Sequence, residues 1–573
     1  MLAGRRGMLM LLAAFGWAAA TAPCPAQGPD ADRQEREPFD LVIENGKLVD
    51  GTGNPWKAGD VAIRGDRIAA VGVLSEASRR QARRTIDARG QVVAPGFIDI
   101  HSHSDWTLFE DGDAQSKIRQ GVTTEVLGEG ASPWPFVGKL PPRKLKVRGG
   151  EIEIRTLDDY FRAFESATAS VNVASYVAAG NVWESVMGSS FARPTPDDLR
   201  RMRELIDEAM RQGACGLSSQ VMSPPGSLAR TDDLVELARA VRPYGGLYSS
   251  HIRNEGTGVF ESVAEAIQVG ERAGVPVDVI HLKIADQQNW GQMAAVVRMI
   301  EEARARGVDV QANVYPYTRG NNNLATIIPP WAHEGGREQL LTRLKDPQAR
   351  ARLKQEIERG LPGWYNHYTA VGKDWSRMLI SDAVPESGMT MDKVIARRSE
   401  GVDPTPDPLD ILFDLLIERG GSVSTVYAHH SEEDMNLALI QPWCSIGSDG
   451  LALSATGVLR RGNPHPRSFG TFPRVLGVYV RERGLLRLEE AVRKMTSLNA
   501  ARIGLGDRGL LREGMLADVV IFDAATVSDR ATYTDPFQYN VGIACVIVNG
   551  AIVLEGDRHT GARPGRALRR RPQ

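Results

Sequence analysis

Residues 94–105 read APGFIDIHSHSD, a Pro-Gly break followed by an apolar run and two histidines. A short apolar run of this kind is typical of a buried strand. Because alternate side chains of a strand point to the same face, His101 and His103 would project together, about 7 Å apart at a rise of ~3.3 Å per residue. Two imidazoles placed in this way can bind one metal ion. The stretch therefore predicts a metal site at the end of a buried strand.

The chain around this stretch alternates short apolar runs with amphipathic helical segments such as Asp197 to Arg211 and Val263 to Ala273. This rhythm, from residue 95 to 505, favours parallel strands joined by helices, which predicts an α/β fold. The chain contains eight candidate strands, which is the number that closes a (β/α)8 TIM-like barrel. An open doubly wound sheet is the alternative. The candidate strands end near His103, Gly128, Gly180, Ser219, His251, His281, Tyr315 and Asp449.

Both ends of the chain contain short β elements separated by turn-forming glycines. Residues 38–94 and 506–566 are therefore predicted to form one small β-sandwich domain around the barrel of residues 95–505. Within the barrel, a charged stretch of about 331–420 is longer than a barrel loop requires. Long insertions in such folds tend to be functional, so this stretch is predicted to be an inserted lid or subdomain.

Residues 1–26 have the pattern of a secretory signal peptide, with paired arginines at 5 and 6, an apolar run and a small residue at the end. The pattern predicts a periplasmic or secreted protein that has no membrane contact after cleavage. An uncleaved membrane anchor is the alternative. The paired arginines loosely resemble a twin-arginine signal.

The composition excludes one class of partner. The 573 residues carry a formal net charge of -2 and no basic finger or helix motif, so nucleic acid is not an expected partner. A small-molecule substrate is expected instead, and homo-oligomerisation is left open.

Further residues of metal-binding type follow other predicted strands. The carboxyl ends of barrel strands meet at one face, so these side chains would surround a single cavity with the first two histidines. Imidazoles and carboxylates suit Zn²⁺ best, with Mn²⁺, Co²⁺ or Fe²⁺ also able to bind. Two ions would need a bridging ligand, for which Glu129 is the candidate; the alternative is that Glu129 supports another ligand. The predicted metal ligands are His101, His103, Glu129, His251, His281 and Asp449.

Residues 94–105 resemble the first metal motif of the amidohydrolase superfamily. Other segments resemble the D-aminoacylase (N-acyl-D-amino-acid deacylase) branch, and the likeness extends from about residue 40 to 566. One position departs from that branch: its members place a metal-binding cysteine in an Asn-Cys-Gly turn, whereas this chain has Glu129 between two glycines. The segments that carry the likeness are Gln120–Thr124, His251–Glu255, His281–Lys283, Tyr315–Tyr317, Gly447–Asp449, His465–Arg467 and Gly470–Arg474.

The resemblance implies a metal-dependent enzyme that hydrolyses N-acyl-D-amino acids to a D-amino acid and a carboxylate. Asp449 matches the catalytic aspartate of the superfamily and would pass a proton from water to the leaving nitrogen. His281 would help to stabilise the oxyanion. The substrate carboxylate needs a cationic or hydroxyl clamp, for which Lys283, Arg253 and Tyr317 are the candidates.

Two other functions remain open at this point. The same metal centre could act on another amide, such as a cyclic amide, a dipeptide or an aromatic amide. A non-catalytic binding protein is a second alternative, which the presence of Asp449 and all four histidines disfavours. A serine hydrolase is disfavoured because the chain contains no Gly-x-Ser-x-Gly motif.

Overall fold

The computed structural model describes residues 38–130, 132, 134–147 and 150–570. The predicted signal peptide, residues 1–26, lies outside the described residues. Eight parallel strands follow one another along the chain, and the third is interrupted at Tyr176. These strands are β1 (Phe97–Asp99), β2 (Val122–Leu127), β3 (Asn172–Ser175 and Val177–Ala178), β4 (Gly216–Gln220), β5 (Leu247–His251), β6 (Val277–Val279), β7 (Val310–Val314) and β8 (Cys444–Ile446).

Each of these strands pairs with its neighbour in the sequence. One sheet contains β1, β2 and the first part of β3, and a second contains the rest of β3 followed by β4 to β8. The loops after β1 and β8 are also joined, because Asp449 N donates to His101 O at 2.8 Å and His103 N donates to Gly450 O at 3.0 Å. The first and last strands are thus linked at their carboxyl ends.

The first strand is shorter than predicted. It ends at Asp99, so His101 and His103 lie in the segment that follows it rather than on the strand. The prediction that strand alternation makes the two imidazoles project together was therefore wrong. Their common direction comes from the backbone hydrogen bonds that join this segment to the loop after β8.

Helices connect the parallel strands, and their buried residues face the large hydrophobic core that surrounds the strands. Helices follow each of the strands β2 to β6, the longest being Pro196–Arg211, and several helices of eight residues or fewer follow β8. None of the described helices is both long and apolar enough to cross a membrane. The connecting helices include Thr107–Glu110, Gln115–Ile118, Leu157–Ala167, Ala179–Met187, Pro196–Arg211, Thr231–Ala238, Val259–Ala273, Met293–Ala305, Glu432–Leu439, Arg467–Arg474, Val475–Glu482, Leu488–Met495 and Ser497–Arg502.

The two ends of the described chain pair in one nine-stranded sheet. The junction is an antiparallel pair in which Val519–Phe522 lies beside Val92–Pro95, directly before β1. Side chains alternate between the two faces, so Val519 and Ile521 pack in a small core of the sheet itself while Val520 and Phe522 join the large core. The other strands are Leu41–Leu48, Lys57–Arg64, Arg67–Gly72, Thr85–Asp87, Ile543–Val548, Ala551–Glu555 and Arg558–His559, and the helix Glu76–Arg80 lies between two of them.

The segment between β7 and β8 contains a three-stranded antiparallel sheet, with Ser424–Tyr427 between Gly320–Asn323 and Met378–Ile380. It has a hydrophobic core of its own. The first and last of these strands along the chain, Gly320–Asn323 and Ser424–Tyr427, pair with each other and lie outside the predicted insertion of about 331–420. Its helices are Arg337–Lys345, Pro347–Arg359, His367–Ala370, Met391–Ser399 and Pro408–Glu418.

Candidate metal centre

A cleft of about 700 Å³ opens at the carboxyl ends of the parallel strands. The loops or strand ends after β1, β2, β5, β6 and β8 all contribute polar side chains to this region. Active sites of parallel α/β folds lie at this edge because the strand ends bring loops from distant parts of the chain together. The residues brought together are the six predicted ligands, His101, His103, Glu129, His251, His281 and Asp449.

Unusual backbone conformations direct several of these side chains. His281 and Asp449 each have a positive φ, 38° and 53°, just after a strand ends. A positive φ strains the backbone of a non-glycine residue, so it persists only where the surrounding contacts hold the residue in place. Gly128, with φ 85°, precedes Glu129, and a Cβ atom at this glycine would lie 2.5 Å from Tyr176 O. Only glycine fits this turn, which directs Glu129 into the cleft.

One half of the site surrounds Oε2 of Glu129. His101 Nε2 lies 3.2 Å from this oxygen and His103 Nε2 lies 3.5 Å from it. On the other side of the two imidazoles, Asp449 Oδ1 lies 2.9 Å from His103 Nε2 and 3.6 Å from His101 Nε2. His101, His103 and Glu129 each offer one donor atom, and these three atoms lie within 4.8 Å of one another, as do those of His101, His281 and Asp449. Nitrogen and oxygen donors grouped in this way suit Zn²⁺.

The other half surrounds Oε1 of the same carboxylate. His251 Nδ1 lies 3.5 Å from Glu129 Oε1 and 3.1 Å from His281 Nε2. Oε1 is buried and makes no hydrogen bond within the described part of the chain. Glu129 thus lies between two histidine pairs with one oxygen towards each. A carboxylate in this position can bridge two metal ions, or it can bind a single ion together with either histidine pair.

The charge states also fit a metal site. Burial is the largest cause that lowers the pKa of His281, and the nearby Lys283 and His251 lower it further, to about 3. The imidazole is therefore neutral, which is the form that binds a metal ion. Burial would raise the pKa of Glu129, but His101 and His251 hold it well below the usual range. Burial likewise opposes ionisation of Asp449, yet Arg467 and the histidines hold the pKa of that carboxyl well below normal.

Glu255 is a further carboxylate near the second histidine pair. Its Oε1 lies 3.1 Å from His281 Nδ1 and 3.6 Å from His251 Nε2. The ammonium of Lys283 lies closer, 2.5 Å from the same oxygen. His251, Glu255 and His281 therefore form a further group of possible metal donors, in which the Glu255 oxygen is already paired with Lys283.

The three predicted substrate-binding residues have different positions. Lys283 lines the cleft. Arg253 points away from it, pairing with Glu265 at 2.9 Å, and Tyr317 is buried beneath Arg474 with its ring 5.0 Å from the guanidinium. Neither Arg253 nor Tyr317 lines the cleft, so the structure does not support the proposed clamp role for these two residues.

Sequence reasoning did not single out several residues of the cleft. Arg467 donates to Asp449 Oδ2 at 2.7 Å, and its guanidinium lies 4.9 Å from the ring of Tyr315. Arg467 belongs to the His-Pro-Arg segment that carried the family likeness, which was the available signal. His367 and His429 come from the segment between β7 and β8 and line the same cleft. No local pattern marks these two histidines, because only the packing of that segment brings them there.

A buried charge network lies beneath the site. Lys117 is fully buried and donates to Asp99 Oδ2 at 2.7 Å and Ser448 Oγ at 2.8 Å, and it lies 3.3 Å from Glu125 Oε2. Burial would lower the pKa of Lys117, but the two carboxylates outweigh burial and raise it. Asp99 also accepts from Ser448 N at 2.7 Å. The network therefore connects the loop of the first two histidines to the loop of Asp449.

Relatives of known activity match most of the chain. A D-aminoacylase of Alcaligenes xylosoxydans xylosoxydans is 36% identical over 542 residues, covering 94% of this chain and 99% of the relative. A crystal structure of N-acyl-D-glutamate deacylase from Bordetella bronchiseptica, complexed with zinc and a phosphonate inhibitor, superposes with a TM-score of 0.77 at 32% identity, over 93% of this chain and 100% of the other. A D-aminoacylase structure described for its binuclear metal centre gives a TM-score of 0.75 at 34% identity, over 93% of this chain and 100% of the other.

The prediction of export is corrected by these findings. The relatives match over 99% and 100% of their own lengths and provide no support for a periplasmic or secreted enzyme. The predicted signal peptide, residues 1–26, lies outside the described residues. A periplasmic or secreted location is therefore not assigned.

A family model described as the amidohydrolase family matches residues 84–554. The match spans the eight parallel strands, the six predicted ligands and part of the sheet formed by the two chain ends. Together with the relatives above, it confirms the resemblance that the histidine motif suggested. The chain belongs to the amidohydrolase family.

Proposed function

We propose that this chain is a metal-dependent hydrolase that cleaves the amide bond of N-acyl-D-amino acids, releasing a D-amino acid and a carboxylate. The observation that carries the proposal is the carboxylate of Glu129, which faces His101 and His103 with one oxygen and His251 with the other. The D-aminoacylase and the N-acyl-D-glutamate deacylase that match the chain give the substrate class.

The eight parallel strands are proposed to form a closed (β/α)8 barrel. The neighbour-to-neighbour pairing from β1 to β8 supports closure, as do the hydrogen bonds between the loops after β1 and β8. The sheet from both chain ends is proposed to be a separate sandwich domain, and the segment 320–427 to be a lid on the cleft. His367 and His429 from that segment line the cleft, which supports the lid.

Zn²⁺ is the proposed cofactor, as one or two ions. His101, His103 and Asp449 would hold one ion, His251 and His281 would hold the other, and Glu129 would contribute to both. Nitrogen and oxygen ligands in these numbers suit zinc, while Mn²⁺, Co²⁺ and Fe²⁺ can also bind such sites. When bound, zinc supplies an acidified water and polarises the scissile carbonyl.

Asp449 is proposed to move the proton. Arg467 holds Oδ2, so Oδ1 is the atom that faces the reacting groups beside His101 and His103. The lowered pKa of Asp449 keeps the carboxylate ionised and able to accept a proton from water. Asp449 would then donate this proton to the leaving nitrogen as the C–N bond breaks, and the oxygen of the water would stay on the acyl group as part of its carboxylate. His281 is proposed to stabilise the oxyanion with its neutral imidazole.

Lys283 and Arg467 are proposed to bind the α-carboxylate of the substrate. Both cations line the cleft beside the histidines. Glu255 accepts from Lys283 and Asp449 accepts from Arg467, so each cation is held in place before substrate binds. Charge-assisted hydrogen bonds from held donors contribute both affinity and orientation.

The test uses metal-loaded protein and matched pairs of N-acetyl-D- and N-acetyl-L-amino acids, with zinc content measured on the same sample. Hydrolysis of the D-substrates is the expected result. Activity confined to L-substrates, cyclic amides or aromatic amides would reject the substrate class but keep the amidohydrolase. A protein that binds no metal and hydrolyses no amide would leave the non-catalytic binding protein as the better explanation.

A further inference from the structure

Glu184 lies in the wall of the cleft and takes no part in the metal-facing cluster. It belongs to the helix Ala179–Met187, which follows β3. It lines both the cleft of about 700 Å³ and an adjoining chamber of about 340 Å³. Because Asn322 and His367 also line both cavities, the chamber is an extension of the cleft.

The carboxylate of Glu184 lacks a partner among the described residues. It forms no hydrogen bond or ion pair there, and burial alone raises its pKa, because no neighbouring charge or donor opposes that effect. Asp382, another carboxylate of the same cleft, differs: it accepts from Ala383 N at 2.8 Å and from Ser424 N at 3.3 Å. Glu184 is partly exposed in the wall of the cleft, so its carboxylate is accessible to a ligand that enters there.

Two cations of the cleft and the carboxylate of Glu184 lie at separate places. Lys283 and Arg467 lie beside the histidines, where the proposed carboxylate of the substrate binds. Glu184 has the opposite charge and lies where the cleft meets the chamber. A ligand that carries a carboxylate at one point and a positive charge at another matches this division.

The chamber beyond Glu184 is lined by apolar side chains together with polar ones, among them Arg337, which donates to Gly420 O. Barrel loops and the segment between β7 and β8 both contribute to it. An aliphatic stem gains favourable burial against such a surface, while its charged end stays beside the carboxylate. The apolar lining includes Met222, Pro225, Leu228, Ala325, Ile328 and Trp364.

We propose that Glu184 is a specificity-determining residue, which binds an ammonium or guanidinium group carried by the N-acyl-D-amino acid. This inference rests on the proposed function. The positive charge could come from either of two parts of the substrate: a basic D-side chain, or a free amino group on the acyl part, as in a dipeptide with a D-residue at its carboxyl end. Both sources present the same chemistry to Glu184.

The experiment compares three substrates with the zinc-loaded enzyme and its Glu184→Gln variant. N-acetyl-D-norleucine is the neutral reference, N-acetyl-D-lysine adds a charge to the side chain, and glycyl-D-norleucine adds one to the acyl group. The kcat/KM of at least one charged substrate, relative to the reference, is expected to fall about tenfold in the variant, the usual loss for one charge-assisted hydrogen bond. The substrate that loses rate identifies the source of the charge.

A matched control removes a charge from the neighbouring helix. Glu208 is also partly buried, but it lies on Pro196–Arg211 and does not line the cleft, so Glu208→Gln should leave the substrate ratios unchanged. The wild-type enzyme gives a second measurement that does not depend on the variant folding: it should prefer one charged substrate over the reference.

The outcomes separate the two proposals. If all three substrates are hydrolysed without a preference for charge, or if Glu184→Gln changes no ratio, the assignment of Glu184 is overturned while the proposed function stands. If the metal-loaded enzyme hydrolyses none of the three substrates, both proposals are overturned. A loss of ratio in Glu184→Gln but not in Glu208→Gln supports the assignment.

Discussion

Replacement of Lys117 by methionine tests whether the buried network under the metal site holds its loops in place. Lys117 is fully buried and neutralises Asp99 and Glu125, which are also fully buried. Methionine keeps much of the volume but leaves both carboxylates without a cation. Removing one partner of a buried ion pair costs about 3–5 kcal/mol, so Lys117→Met should lower the free energy of unfolding by about that amount.

The assay is urea unfolding followed by circular dichroism or, if unfolding is irreversible, the inactivation half-life at a fixed temperature. Zinc content is measured in parallel. Asp99 accepts from Ser448, the residue before Asp449, and lies two residues before His101, so loosening this network should also weaken metal binding. A second variant that adds Asp99→Asn and Glu125→Gln removes the unpaired charges and should recover part of the lost stability.

Lys494→Met is the matched control. The Lys494 side chain is also fully buried, but its ammonium donates to the carbonyl oxygens of Gln441 and Cys444. Its carboxylate neighbour, Glu490, lies 3.9 Å away and is also paired with Arg493, so it keeps a cation when Lys494 is replaced. Unsatisfied neutral acceptors cost about 1–3 kcal/mol, less than buried unpaired charges. The reasoning is refuted if Lys117→Met destabilises the protein no more than Lys494→Met, or if the added neutral substitutions recover nothing.

Three further predictions concern the site itself. Asp449→Asn should retain zinc but lose turnover by about 10²-fold or more, because the amide cannot accept the proton; metal analysis and kcat measure both, and near-normal turnover would contradict the proton role. Glu129→Gln should lower the zinc content of purified enzyme, because a neutral amide replaces the carboxylate between the histidine pairs; unchanged content in a binding titration would count against the bridge. Arg253→Met should lower the melting temperature, because the ion pair with Glu265 is lost, but it should leave KM within about twofold. A large rise in KM would show that Arg253 contributes to substrate binding.

The order of elements followed from local patterns. Apolar runs of strand length, separated by amphipathic helical segments, predicted eight strands, and eight parallel strands occur in that order. The bounds of the first strand were less predictable: Ile100 continues the apolar run, but the backbone leaves the strand after Asp99 to bond with the loop that carries Asp449. That bond joins residues about 350 positions apart, and no local pattern reports it.

The six predicted ligands lie close together because each is at or after the end of a strand, and parallel strand ends share one edge of the sheet. The predicted clamp was less successful. Lys283 lines the cleft, but Arg253 turns outward to Glu265, although both follow strands by two residues or more. Beyond a strand end the period of two no longer applies, so the direction of a side chain depends on the fold of the loop.

The sequence by itself determined the family, the metal-binding residue types and their placement after successive strands, because strand periodicity and short motifs are local properties of the chain. The tertiary structure decided which oxygen of Glu129 faces which histidine pair, and that Glu255 and Arg467 hold Lys283 and Asp449. It also placed Glu184 between two cavities, with no side-chain partner in the part of the chain that the structure describes. These contacts depend on the packing of loops from distant parts of the chain, so the spacing of residues along the sequence does not predict them.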